Sequence, residues 1–228
     1  MLKIHSWALA LALAVPSFGL AGEIVVQGQG SVEQAPDMAT ITLGSQFAAK
    51  QADDALDQVS EATATVLATL AELGVEAKDV QTSGLYLNPV WDDSYNRHGG
   101  RNIRGYSAGN TVHIRVRDLD KLGGLLDQVV EDGANTFNGL SFGLQDSTDA
   151  KNEARRRAVA DARAKAELYA EAAGVSLGKI IELTDGVTSS PQPMFMERSA
   201  MVMSDAVPIA EGEVSTSSRV TITFEIAE

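Results

Sequence analysis

The sequence predicts an α+β fold of duplicated βαββ units, with mostly antiparallel sheet packed against two long helices and one short helix. Three observations lead there. Several segments alternate apolar and polar residues with a period of two, the mark of half-buried strands. Two longer segments carry apolar or small residues at helical spacing and close on Gly74 and Gly174, where a helix C-terminal glycine belongs. Those closures, Leu73-Gly74-Val75 and Ala173-Gly174-Val175, lie 100 residues apart, and a strand pattern follows each.

Residues 24–32 and 38–47 read as strands around a turn at Pro36-Asp37. Residues 50–73 place Ala55, Val59, Val66 and Leu70 on one helical face. Residues 80–89 and 103–117 read as strands joined by a polar loop. In the second of them Val112, Ile114 and Val116 alternate with His113, Arg115 and Arg117, as in a strand with one wet face. Asp118 is placed to cap a short helix that stops at Gly133, and residues 137–145 form the next strand. Ser147 or Asp149 caps the second long helix, along which Ala154, Ala158, Ala162 and Ala166 recur every four residues. Such a ridge of small residues lets a helix lie close to its support, although alanine also simply favours helix. Residues 179–184 and 219–226 are the last strands.

The repeat divides the chain into two βαββ-like halves, approximately 22–117 and 134–228, joined by the short helix. In that reading residues 91–102 and 188–211 are equivalent hairpin tips. Loops longer than about 12–15 residues inside a compact domain are usually functional or disordered. The first tip holds Trp91 and Tyr95. The second holds Met194, Phe195, Met196, Met201 and Met203, and so four of the six methionines. Flexible thioether side chains suit adaptable interfaces, and these seven residues are the expected oligomer or partner contacts. Thioethers are also soft ligands, so the alternative reading is a protein that binds a ligand or Cu(I) with the Met-rich loop 191–203, through Met194, Met196, Met201 and Met203; no metal site is assigned.

The first 21 residues have the order of a secretory signal: Lys3, an apolar run over Trp7–Val15, then Gly19-Leu20-Ala21 for cleavage near Ala21. The run falls far short of the roughly 20 residues that span a bilayer, so no membrane span is expected. No cysteine follows it for a lipid anchor, and none occurs anywhere, which excludes disulfides, thiol catalysis and zinc–thiolate sites. Loss of Lys3 with the leader takes the net charge from −13 to −14. So acidic a chain is repelled by nucleic acid phosphates, and no nucleic acid partner is expected.

Catalytic constellations are missing. After the leader only His98 and His113 remain, one in a glycine-flanked loop and one on a wet strand face, neither suited to act as the base of a triad. Gly28-Gln29-Gly30 runs on toward a turn rather than opening a helix, so it marks a bulge or a close backbone approach instead of a phosphate cradle. Asp53-Asp54 sits in a first helical turn, Glu131-Asp132 at a helix end, and Asp92-Asp93 in the first tip. Arg155-Arg156-Arg157 reads as a solvated helix face supported by Glu153. No catalytic residue and no cofactor is assigned, and the chain reads as a non-enzyme.

The order and spacing of several short motifs resemble the SIMPL-domain family of bacterial periplasmic proteins, of the periplasmic immunogenic protein type. They are Gly28-Gln29-Gly30 ahead of Pro36-Asp37-Met38-Ala39, Gln81-Thr82-Ser83-Gly84-Leu85, Gly105-Tyr106-Ser107-Ala108, Lys165-Ala166, Leu177-Gly178 and Gly212-Glu213. The family often has Gly-Glu-Gly where this chain has Gly28-Gln29-Gly30. The resemblance implies an antiparallel α+β fold, a periplasmic address and ring- or barrel-like homo-oligomers, with other envelope proteins as further partners. It also implies a part in envelope integrity or stress response, and it implies no enzyme activity.

Overall fold

A computed structural model describes residues 22–95, 101–186, 188–189, 192–194 and 209–227. The expected leader, residues 1–21, lies outside them. In chain order the elements are β1 (Glu23–Gln34), β2 (Met38–Gly44), β3 (Gln46–Ala49), α1 (Ala52–Glu72), β4 (Val80–Tyr95), β5 (Arg101–Val116), α2 (Leu122–Glu131), β6 (Thr136–Gly143), α3 (Thr148–Ala173), β7 (Ser176–Asp185), β8 (Gln192–Met194) and β9 (Glu213–Ala227). All described strand pairings are antiparallel, so the molecule is α+β.

The larger sheet is organised on β5. β4 pairs one side of it; β2 and β3 pair the other, and β6 lies beyond β2. β2 and β3 keep a single register against β5, from Leu43↔Val112 to Gln46↔Gly109. Only Ser45 parts them. Its buried amide donates to Asn110 Oδ1 at 3.1 Å, and its hydroxyl donates to the Gly133 carbonyl at 3.0 Å. The inner face carries Ala39, Ile41, Leu43, Val112, Ile114 and Val116, the apolar halves of the two alternating patterns. α1 covers it with Val66 and Leu70, and α2 with Leu122, Leu125, Leu126 and Val129.

The smaller sheet has the order β1-β9-β7, with β8 also on β9. β1 pairs β9 from Glu23↔Glu225 to Gln34↔Val214. The first strand of the chain thus completes the sheet of the last, while β6 joins the sheet of β2 to β5. Strand pairing therefore crosses between residues 22–117 and residues 134–228.

α3 covers the smaller sheet almost without large side chains. Ala150, Ala154, Ala158, Ala162, Ala166 and Ala170 are its buried residues, and Val26, Val220, Ile222 and Phe224 meet them from the sheet. The contact is close because β1 offers glycine there. A Cβ on Gly28 would stand 1.9 Å from the Ala158 carbonyl oxygen, and one on Gly30 would stand 2.3 Å from that of Ala154. The expected close backbone approach at Gly28-Gln29-Gly30 is thereby located, and its partner is the alanine ridge.

Polar side chains of α3 then cap the backbone of β1. Lys165 donates to the Gln27 carbonyl (3.0 Å), Asp161 accepts from the Gln29 amide (2.7 Å), and Arg157 donates to the Ser31 carbonyl (2.6 Å). The spacings match physically. Four helical residues rise about 6 Å and two strand residues about 6.6 Å, so three successive pairs stay in step. Arg157, expected on a solvated face, is both paired with Glu153 and used on β1.

Two expected loops are shorter than their sequence suggested. The β4–β5 ladder runs on to Tyr95↔Arg101 through the stretch read as loop 91–102. Pro89 did not end β4, because β4 is an edge strand and its partner-facing bonds survive a missing amide. Within the expected loop 188–211, β8 pairs Gln192–Met194 with Ser215–Glu213. Ser147 occupies the cap position of α3 without a side-chain bond; the Thr148 amide donates instead to Asp146 Oδ1 at 2.8 Å. No helix among the described residues is long and apolar enough to cross a membrane.

Gly28→Ala tests the α3 seat. The atom in its way is helix backbone, which cannot rotate aside, so the cost should reach or exceed the usual overpacking range of about 1–3 kcal/mol. Gly124→Ala, where an added Cβ meets nothing within 4 Å, is the matched control. Urea unfolding midpoints should fall for the first variant and hold or rise for the second.

Candidate functional site

The segment that stands out is the outer part of the β4–β5 hairpin. β3 supports β5 only as far as Ala49↔Tyr106. Beyond that point residues 90–95 and 101–105 pair only with each other among the described residues. A two-stranded ribbon is marginal in water unless something packs on it.

Local sequence explains how the arm is shaped. The register slips between Ser83 and Tyr86, and Gly84 adopts φ +62° there, a conformation that favours glycine. The bulge turns Leu85 outward, 65 % exposed. The Tyr86 ring then covers Gly109, where a Cβ would come within 2.7 Å of it. At the arm's base Gly105 lies against the Ala49 carbonyl, with room for no side chain.

The arm exposes apolar side chains. Trp91 and Ile103 face each other across the strands and are 47 % and 48 % exposed, and Leu87 and Val90 are exposed beside them. On the ribbon itself Arg101 and Arg104 are balanced in number by Asp92 and Asp93. The β7 edge offers a second apolar exposure, with Ile180, Ile181 and Leu183 each about half exposed.

Of the seven expected contact residues, the structure puts Trp91 and Tyr95 on this arm, with Tyr95 opposite Arg101. Met194 lies on the other sheet, in β8 opposite Glu213. Phe195, Met196, Met201 and Met203 fall outside the described residues. His113 sits on the open face of the larger sheet, its Nδ1 3.1 Å from Thr42 Oγ1. Sequence reading missed Leu85, Leu87 and Ile103, because alternation alone marks them as one half of an ordinary strand.

It also missed an ion cluster built on a buried carboxylate at the end of β5. Asp79, 4 % exposed, closes a short 3-10 turn over Ala77–Asp79. Arg117 donates to both of its oxygens, Nε to Oδ2 at 2.6 Å and Nη2 to Oδ1 at 2.8 Å. Arg115 Nε stands 3.3 Å from Oδ1. Arg117 also donates to Gln145 Oε1 at 3.2 Å, and Gln145 holds the turn at Asp37 through its amide and its side chain. The Arg117 hydrogen bonds, helped by the charges of Arg117 and Arg115, hold the Asp79 carboxyl below its ordinary value of 3.8 despite its burial. The pair ties together elements 38 residues apart, a distance no local pattern reports.

The SIMPL family model, described as a protein of unknown function (DUF541), matches residues 24–224. The chain is 37 % identical over 211 residues to the 26 kDa periplasmic immunogenic protein of Brucella melitensis biotype 1, covering 89 % of this chain and 84 % of that one. It is 32 % identical over 190 residues to the uncharacterized protein YggE of Escherichia coli K12, covering 83 % and 75 %. YggE of Edwardsiella ictaluri is also 32 % identical, over 171 residues, covering 75 % and 71 %.

Asp79→Asn should cost about 2–3 kcal/mol at neutral pH, since hydrogen bonds between charged groups are weakened together. A carboxyl held below its unfolded value stabilises the fold above that value, and the contribution is lost as pH falls through the folded value. Thermal unfolding followed from about pH 7 to about pH 3 should therefore show the wild type losing its advantage over Asp79→Asn below the ordinary value of 3.8. A constant gap across that range would contradict the assignment.

Proposed function

This chain belongs to the SIMPL family, and from that premise we propose that it is a non-catalytic periplasmic protein that assembles with copies of itself through the β4–β5 arm. The observation that carries the reading is the arm itself: a two-stranded ribbon with Leu87, Val90, Trp91 and Ile103 exposed, extending past the rest of its sheet. Burying those side chains against a partner supplies the stabilisation that the isolated ribbon lacks.

A second copy offers a matching surface. The β7 edge exposes Ile180, Ile181 and Leu183, so an arm laid on the body of a neighbour buries apolar side chains on both sides. Contacts of that head-to-tail kind close into rings when the rotation allows. A periplasmic address is supported by the printed name of the Brucella relative and by the leader pattern in residues 1–21. Support of envelope integrity or of the stress response is the role we assign to such an assembly.

Native mass spectrometry and sedimentation velocity of the mature chain test this. The wild type should run as a closed oligomer. The double variant Trp91→Glu/Ile103→Glu should run as a folded monomer by circular dichroism. A wild type that is monomeric at all concentrations, or a double variant that assembles unchanged, would overturn the proposal.

A further inference from the structure

The molecule also has a cleft away from the arm, between the C-terminal end of α1, the end of β5 and the start of α2. Its volume is about 340 Å³, within the usual range for small-ligand clefts of about 300–1,000 Å³. The walls are of two kinds. Leu73, Val75, Val116 and Leu125 supply apolar surface. Arg115, Arg117 and Asp79 supply one polar wall, and the turn leading into α2 supplies another with Asp118, Asp120 and Lys121.

The charges are not all matched within the protein. On the β5 side Glu76 also lines the cleft and is paired with Lys78 at 2.8 Å, which leaves two guanidinium groups sharing the carboxylate of Asp79. Arg117 holds it with two hydrogen bonds, whereas Arg115 is the more distant, is half exposed and donates from Nη2 to the Lys78 carbonyl at 3.1 Å. On the α2 wall Lys121 is paired with Asp118 at 3.1 Å, while Asp120 has no ion-pair partner among the described residues. A positive surplus and a negative surplus therefore sit on different walls of one cleft with apolar surface between them. Gly124 adds room: a Cβ placed there meets nothing within 4 Å.

We propose that this cleft binds a short apolar peptide in its zwitterionic form, with the carboxylate toward Arg115, the ammonium toward Asp120 and the side chains on the apolar wall. A simple anion fits less well, since the acidic chain repels it. A simple cation leaves the Arg115 surplus unanswered. A cleft of mostly apolar lining with a few converging charged groups is the setting in which binding sites are commonly found. The inference does not depend on assembly through the arm.

Isothermal titration of the mature chain with the dipeptide Leu-Leu tests it. One molecule should bind per chain, and Arg115→Gln and Asp120→Asn should each weaken binding by about tenfold, which is about 1.4 kcal/mol. N-acetyl-Leu-Leu, which lacks the ammonium, should lose as much against the wild type and nothing further against Asp120→Asn. Gly124→Phe should fill the cleft and abolish binding while its helix gains propensity, with Gly124→Leu as the milder filling variant. No heat at about 5 mM dipeptide, a range in which even weak ligands register, would overturn the proposal. So would binding that survives both filling variants in folded protein.

Discussion

The seating of α3 on β1 is the contact on which the rest of this architecture depends. Helices usually meet a sheet through large side chains, and here they meet through Gly28 and Gly30 on one side and an alanine ridge on the other. So little apolar surface per residue would hold a helix weakly by burial alone. Proximity compensates, because it brings Lys165, Asp161 and Arg157 within reach of the strand backbone. Small residues and charged residues act as one device: the first set the distance and the second use it. Since β1 runs directly into the turn at Asp37 and thence to β2, fixing β1 also fixes where the larger sheet begins.

That device has a second effect. An edge strand presents unpaired amides and carbonyls that invite pairing with another chain. α3 meets three of those groups along β1, at Gln27, Gln29 and Ser31. Among the described residues β4 and β7 each have a single strand neighbour and carry exposed Leu85, Leu87, Ile180 and Leu183 instead. One edge is thus partly closed by charged side chains, while these two are left apolar. Such a contrast directs association to chosen edges while preventing it at others, which gives the proposed assembly a geometric basis.

Much of this was legible from the residues. Period-two alternation placed β2, β5 and β9, and the helical spacing of Val59, Val66 and Leu70 placed α1. The closing glycines were read correctly: Gly74, Gly133 and Gly174 all take positive φ, at 83°, 108° and 69°. The ridge of alanines named the face of α3 that is buried. What the residues did not disclose was pairing. Periodicity reports which face of a strand is wet, not which strand lies beside it, so the union of β1 with β9 and of β6 with β2 was invisible. The same limit hid Asp79 and Arg117. Each looks like an ordinary surface charge until the fold brings them together. Strand length in the hairpin was underestimated because proline reads as a stop, and at an edge it is not one.

The β1–β9 pair also decides how the molecule answers a pull. Glu23 lies beside Glu225, so the two free ends of this ribbon emerge at the same end. Antiparallel ladder bonds run perpendicular to the strands. Tension applied at the two termini therefore loads these bonds one at a time, from the open end inward, rather than all together in shear. Along this axis the sheet is a zipper: each opened pair of residues releases the next, until the α3 contacts on Gln27, Gln29 and Ser31 are reached.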